Sequence, residues 1–347
     1  MKKLVNSLLS LFFALLVGGI LIFANGGSPL NAYGAMLKSC FGSTKGFLGM
    51  LAYATPLIFT GLGAAIAFQG NIFNTGGEGQ LCVGGLAAAL VGIYCDVPWP
   101  FGLLLALFAA FIAGGIWALI PTWMVGRYTQ ALVVGTIMMN SIGAMFAQYL
   151  VRYHFLRVGS TMNETETILA GAILPRFTKT QFNWGFFIAL FMVLVVAWII
   201  YRTPFGFSLR AMGQNSHAAQ QAGINTFRVS LQTMFFSGGL CGLAGAVQCL
   251  AIYTRFIEGF SPGYGWDGLT VSALAMNNPF AVVITAMLFG MLRAASISLN
   301  LSKAVSVDMI SILQGLIVMF VATPYLRYVF ANLFRKIKAT KAGKDVA

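Results

Sequence analysis

The chain has 347 residues, of which 59% are hydrophobic and 8% charged, whereas a typical soluble domain is about 25% charged. With a mean hydropathy of +0.84, this balance excludes a soluble globular protein and indicates a polytopic membrane protein. The net charge of +13 does not signal nucleic-acid binding, because the basic residues gather in the opening "MKK", the tail "FRKIKATKAGK" and short loops, where Lys and Arg mark cytoplasmic segments.

Apolar runs occur in order at Leu4–Ala24, Phe47–Phe68, Leu81–Tyr94, Trp99–Trp123, Ala131–Val151, Trp184–Tyr201, Val229–Tyr253, Gly268–Met276, Phe280–Leu299 and Val307–Tyr325. The first exceeds a usual signal-peptide core and no small-x-small cleavage site precedes "NGGSPL", so it reads as a retained span. Backbone in lipid must satisfy its own hydrogen bonds, which makes helices the default, and the alternation of a membrane β-barrel is absent. The predicted fold is therefore all-α, with about ten transmembrane helices and both basic termini cytoplasmic. On this topology Arg127, Arg202, Arg210 and Arg228 face inward, and Arg152–Asn183, with Glu164 and Glu166, faces outward. Trp99, Trp123, Trp184, Tyr201, Tyr253 and Tyr325 mark span ends, as in an interfacial belt. The predicted organisation is one membrane domain over 1–347: a first span and external loop (1–46), a core (47–326) containing a cytoplasmic loop (203–228), and a basic tail (327–347).

Two runs are too short to cross. Leu81–Tyr94 and Gly268–Met276 would be helices of about 21 and 14 Å against a core of about 30 Å. "NTGGEGQ" precedes the first and "NNP" comes after the second. If spans two to five and seven to ten form two halves, these interruptions occupy matched positions, the pattern that marks a central transport pathway.

The break "GNIFNTGGEGQL", Gly70 to Leu81, carries Glu78, the first acidic residue of the chain. It matches neither GxxxxGK[ST] nor GxGxxG and has no βαβ context; "GSTKGF" at Gly42–Phe47 also fails the phosphate-loop pattern, so the chain shows no ATP site of its own. The topology puts the break at the cytoplasmic ends of spans two and three. Glu78 precedes a helix start, where the macrodipole favours a carboxylate, and either caps that helix or acts as a hinge. Asn74, Gly76, Glu78, Gly79 and Gln80 are the candidate hinge residues.

The loop "TPFGFSLRAMGQNSHAAQQAGINTFR" predicts a short surface helix over Asn215–Ala222, started by Asn215 or Ser216 and stopped by Gly223. It is either a solvated connector or a docking helix. A charge at Ala219 is then expected to weaken partner association without affecting insertion. In span seven, Gly238 and Gly242 form GxxxG within "SGGLCGLAGAVQ", which allows close helix approach. Ser237, Cys241 and Gln248 fall within about 40° on one face of that helix. In span five Ser141 and Gln148 share a face and Asn140 lies near the midpoint. Asn140, Ser141, Gln148, Ser237 and Gln248 are the candidate pathway residues, able to bind hydroxyls or a heterocycle and equally able to bond neighbouring helices. Arg293, within span nine, can pair with Asp267, Asp308 or a backbone carbonyl, or touch a polar solute.

Cys40, Cys82, Cys95, Cys241 and Cys249 form no CxxC and indicate neither a disulfide framework nor a metal site. His154 and His217 lie in loops, which gives no support to an intramembrane protease or metalloenzyme. Nearly all the acids sit in loops or at span ends, which weighs against a proton-coupled carrier.

Four ordered blocks carry a resemblance: "YATPLIFTGLGAAIAFQGNIFNTGGEGQL", "TIMMN" (Thr136–Asn140), "TPFGFSLRAMGQNSHAAQQAGI" and "GYGWDGLTVSALAMNNP" (Gly263–Pro279). Together they resemble permease subunits of ABC importers for nucleosides and simple sugars, in the group that includes ribose and branched-chain amino acid permeases, and within it the nucleoside-type branch. The resemblance runs from about Ala52 to Val321. It implies inward nucleoside transport by alternating access in a prokaryotic cytoplasmic membrane. It also implies a paired second permease, a cytosolic ATPase that binds ATP and Mg, and an extracytoplasmic solute-binding lipoprotein. The loop at Phe205–Asn225 would be the coupling helix on the ATPase, with Gly213, His217, Ala218, Ala219 and Gly223 in contact or at its ends. Three positions depart from the family pattern: Thr75 stands for a usual Ile, Gly77 for Ala or Val, and Ala131 for an acidic residue.

Overall fold

The computed structural model describes residues 16–20, 22–23, 28–125, 129–177, 180–301, 312 and 315–316. Most of the first span Leu4–Ala24 and of the tenth, Val307–Tyr325, lies outside the described residues, as do Arg127, Asp308 and the basic tail. The chain divides into two compact units, Leu37–Ala295, and Met1–Met36 with Ser296–Ala347. In the latter, residues 16–20 and 22–23 are helical.

Helix succeeds helix: α1 (Pro29–Phe41), α2 (Thr44–Gln69), α3 (Gly77–Tyr94), α4 (Phe101–Val125), α5 (Thr129–His154), α6 (Gly185–Arg202), α7 (Pro204–Gln214), α8 (Ser216–Gln221), α9 (Thr226–Val247), α10 (Tyr264–Leu274) and α11 (Pro279–Leu301). A π-helical turn, Gln248–Tyr253, extends α9. Among the described residues, β-pairing is limited to two isolated bridges, Glu164 with Ile257 and Arg176 with Asn183. Seven described helices are long and apolar enough to cross a membrane.

Local chemistry sets the helix starts. Ser43, Thr203, Asn215 and Asn225 each accept a hydrogen bond from a backbone N–H in the first turn of α2, α7, α8 and α9, satisfying donors a helix start leaves open. Pro204 occupies the first turn of α7, where its missing N–H removes nothing. The short helix expected over Asn215–Ala222 is present as α8, with Asn215 as its cap. It ends in a paired motif: the Gly223 N–H donates to Gln220 O and the Ile224 N–H to Ala219 O, both 3.0 Å. Gly223 adopts φ +85°, the left-handed conformation this stop requires.

In the Leu37–Ala295 unit, α9 lies at the centre. It packs against α2, α3 and α4 and is buried over most of its length, whereas α4, α5 and α6 are buried over less than half of theirs. Its GxxxG glycines serve packing. A Cβ on Gly238 would strike Gly114 O, and one on Gly242 would strike Ala110 O. Gly84 of α3 approaches the Gly242 backbone just as closely. Three helices therefore meet backbone to backbone, the geometry small residues permit where burial of apolar area offers little drive between helices.

The two short spans resolve differently. The first begins at Gly77 rather than Leu81, giving an 18-residue helix about 27 Å long; the glycines that read as breakers form its first turn. The second, at 11 residues, remains about 16 Å long. The last turn of α2 lies beside α7: a Cβ on Gly70 would meet Leu209 and Met212, and Gln69 Nε2 donates to Asn277 O at 3.1 Å. Residues 71–76 then climb away from this end.

Candidate functional site where two helices begin

The segment 71–76 carries backbone polar groups into the bundle, and these need partners. Asn74, 3% exposed, supplies them. Its Oδ1 accepts from Gly76 N (3.1 Å) and Gln80 Nε2 (2.9 Å), and its Nδ2 donates to Gln80 Oε1 (2.9 Å) and Ser237 Oγ (2.8 Å). The full capacity of one amide is used, joining the loop to the first turn of α3 and the middle of α9. Asn140 Oδ1 accepts from Gly79 N at 2.5 Å, tying the same turn to α5. Thr75 and Thr136 hydroxyls lie 2.7 Å apart, with Val133 O in reach of both, so the hydroxyl at this unusual position is paired to the "TIMMN" helix.

These contacts fix the depth of the motif. Asn140 and Ser237 each lie about 16 Å along their helices from Thr129 and Thr226, roughly half of a 30 Å core. Of the motif Gly70–Leu81, which the sequence reading puts at the ends of spans two and three, Gly70 lies at the end of α2, beside α7. Asn74 to Gln80 sit near mid-depth, because residues 71–76 spend their length re-entering the bundle.

Glu78, in the first turn of α3, accepts from the Gly265 N–H at 2.7 Å. Gly265 is in the first turn of α10. One carboxylate thus sits where two helices start, each with a positive dipole end. The helices diverge from this point: α10 runs toward Asn277, beside Gln69, and α3 runs toward Gly92, where a Cβ would meet Ile168 and Ala172. The start of α10 is held from its other side by Arg293, whose Nη2 reaches Asp267 Oδ2 at 2.6 Å and Pro262 O at 3.0 Å. The guanidinium lies 4.6 Å from the centre of the Tyr264 ring, a cation–π distance. Of the partners open to Arg293 in the sequence, Asp267 and a backbone carbonyl are both used.

The predicted pathway residues separate into groups. Asn140 and Ser237 are buried in the junction and bond within it. Ser141 is exposed and Gln148 half-buried on the outer side of α5, in a stripe with exposed Met138, Met145 and Tyr149. Gln248 is 2% exposed and sits in the π-turn, away from both. Of the predicted coupling residues, His217, Ala218 and Gly223 are exposed. Ala219 is buried, at 4%, so a charge there would break the packing of α8 and not merely a partner contact. A Cβ on Gly213 would strike Gln69 O, which places the end of α7 against the end of α2. The link from Asn74 to Ser237 and the reach of Glu78 to Gly265 are not legible in the sequence; both span more than 160 residues.

At the end of the bundle opposite α7 and α8, Glu164 pairs with Arg255 (2.9 Å) and Arg157 (3.2 Å). Burial alone would raise its carboxyl, but the two guanidinium groups and Ser160 hold it below its ordinary value. Among the described residues no group of three or more His, Cys, Asp or Glu could hold a metal ion.

Residues 46–322 match the family described as branched-chain amino acid transport system / permease component. The chain is 31% identical to the guanosine ABC transporter permease protein NupP of Bacillus subtilis (strain 168), over 97% of this chain and 98% of that protein. It is 26% identical to the nucleoside ABC transporter permease protein NupB of Lactococcus lactis subsp. cremoris (strain MG1363), over 99% and 97%. It is 28% identical to the glucose ABC transporter permease protein TsgB13 of Haloferax volcanii, over 91% and 86%. Among solved structures, PsaBC from Streptococcus pneumoniae in complex with Fab aligns with a TM-score of 0.47 at 12% identity, covering 86% of this chain and 98% of that chain.

Proposed function

The chain belongs to the branched-chain amino acid transport system / permease component family, and from that premise we propose that it is the permease subunit of an ABC importer that moves nucleosides inward by alternating access. The observation that carries the solute class is the near full-length similarity to a guanosine permease. The similarity to a glucose permease supports a simple sugar as the second reading. The protein is a transport component and not an enzyme; ATP and Mg bind a partner ATPase, and a solute-binding lipoprotein delivers solute from outside a prokaryotic cytoplasmic membrane.

In this reading α7 and α8 face the cytoplasmic ATPase. Force on them passes through Leu209 and Met212 to Gly70, along residues 71–76, and into the junction held by Asn74, Glu78 and Gln80. The long α3 and the short α10, which start at one carboxylate, can tilt about it. Ser141 and Gln148 sit on the outer face of α5, where polar groups are costly against lipid; a second permease subunit closing over this face gives them a wet pathway. Asn140 and Ser237, already bonded, hold the junction.

The docking assignment has a direct check. Ala218→Glu, on the exposed side of α8, is expected to cut co-purification of the ATPase by at least about tenfold, the effect of a like charge or a desolvated charge at an interface, with normal membrane insertion. Ala219→Glu is expected to lower the amount of folded permease as well. An ATPase that co-purifies equally with Ala218→Glu and with the unsubstituted chain would refute the docking role. A chain that drives uptake in vesicles without any ATPase would refute the importer reading.

A further inference from the structure

Among the described residues, Gln248 Nε2 is the one buried side-chain nitrogen or oxygen without a hydrogen-bond partner. It lies at the first residue of the π-turn, in the most buried helix of the unit after α2. Buried amides are normally satisfied, and one left open in a native structure calls for a physical reason. π-Helical turns are rare and concentrate at functional positions.

The C-terminal end of the turn is equally unusual. Four carbonyls there accept from the segment 168–176, and a fifth from the residue that ends the turn. Leu174 N–H donates to Leu250 O (3.1 Å) and Ile168 N–H to Thr254 O (3.0 Å). Arg176 spans the pair between them, Nε to Ala251 O at 2.6 Å and Nη2 to Ile252 O at 2.7 Å. The Thr254 hydroxyl donates to Tyr253 O at 2.7 Å. Beyond, Thr165 N–H donates to Phe256 O. The segment 165–176 is therefore a strap laid along the end of the turn, and Leu169 N–H ties the same strap to Gly92 O at the end of α3. The turn itself ends at Thr254 with φ +54°, an uncommon conformation for a β-branched residue.

We propose that Gln248–Tyr253 is a two-state turn, held in its π register by Arg176 and the strap, which relaxes toward an α register when the strap moves. Relaxation by one residue rotates the side chains beyond it by about 100° and moves the Gln248 amide out of its unpaired setting. Ser237, about 16 Å toward the start of the same helix, bonds to Asn74 of the junction and joins the turn to it. The strap then relays events on the surface opposite α7 and α8 to the coupling loop. This rests on the reading of the chain as an importer permease approached from outside by a solute-binding protein. Arg176 acts as a positioning residue, with no contact to solute.

The test uses the assembled importer in nanodiscs and two readouts, amide hydrogen exchange at residues 250–254 and ATP hydrolysis with and without the solute-binding protein. Gln248→Leu removes the unpaired amide and leaves an apolar side chain of similar size. It is expected to slow exchange at 250–254 by at least about fivefold, since an unmade buried hydrogen bond no longer disfavours the π state, and to blunt stimulation by the binding protein with no loss of assembled complex. Arg176→Ala is expected to speed exchange there by at least about fivefold and to leave hydrolysis less dependent on the binding protein; Arg176→Lys, with one donor group for two carbonyls, falls between. Should Arg176→Ala assemble poorly, Gln248→Leu and Arg176→Lys decide the matter. Exchange at 250–254 that is unchanged in Gln248→Leu, or stimulation that is unchanged while exchange shifts, overturns the proposal. The exchange readout needs no solute, so failure of the unsubstituted complex to import nucleosides would count against the solute class and not against the turn.

Discussion

Gly242→Leu is expected to leave essentially no folded permease. A leucine there meets the Ala110 carbonyl and the Gly114 Cα at once, so α4 and α9 must separate, and α9 cannot yield toward α3 because Gly84 already presses on its backbone. Ordinary overpacking costs about 1–3 kcal/mol because side chains can shift; here the obstacles are backbone atoms, and the cost falls in the range above about 4 kcal/mol that marks loss of fold. Even Gly242→Ala introduces a Cβ against Ala110 O and is expected to lower the yield several-fold. Gly49 of α2 has no atom within 4 Å of a Cβ position, and Gly49→Ala gains about 1 kcal/mol of helix propensity. Monodisperse yield of detergent-solubilised protein, compared across the three variants, reads the contrast. Equal yields for Gly242→Leu and Gly49→Ala would show that the helices do not meet as described.

Glu78→Gln is expected to reduce uptake by at least about tenfold while lowering folded yield less than about twofold. The amide can still accept from Gly265 N–H, so a bond remains, but a charge-assisted bond is roughly twice as strong as a neutral one, and the negative charge facing two helix starts is lost. The stability change is therefore about 1 kcal/mol. Transport suffers more because the carboxylate is the point at which α3 and α10 are joined. Uptake and yield measured on the same preparations separate the effects, and normal uptake by Glu78→Gln would reduce the carboxylate to a helix-start role.

Much of this arrangement is legible in the sequence, and the reasons are local. Asn215 and Gly223 bracket α8 through a cap and a left-handed stop, both written in residue type. Gly238 and Gly242 announce a close helix crossing. The motif Asn74–Gln80 stands out by its polarity between apolar runs. What composition and periodicity do not supply is depth. The glycines before Leu81 read as a break, yet they form the first turn of α3 because Asn74, Gln80, Asn140 and Ser237 satisfy the polar groups there. A hydropathy window sees the polarity of those groups and not their pairing. Ala219 reads in the sequence as facing a partner, but a short helix buries one side, and only the structure shows which. The pathway set divides for the same reason: Asn140 and Ser141 are neighbours in sequence and about 100° apart on a helix, one inside the junction and the other outside.

The proposed ATP-driven nucleoside import is tested most directly by uptake of radiolabelled guanosine into proteoliposomes that hold this chain with the proposed second permease and ATPase, with the proposed solute-binding protein supplied on the side opposite α7 and α8. Accumulation is expected to require ATP on the α7–α8 side and to be displaced by unlabelled nucleosides but not by glucose or leucine. Guanosine accumulation that proceeds without ATP, or ATP-dependent uptake that glucose displaces and nucleosides do not, would contradict it.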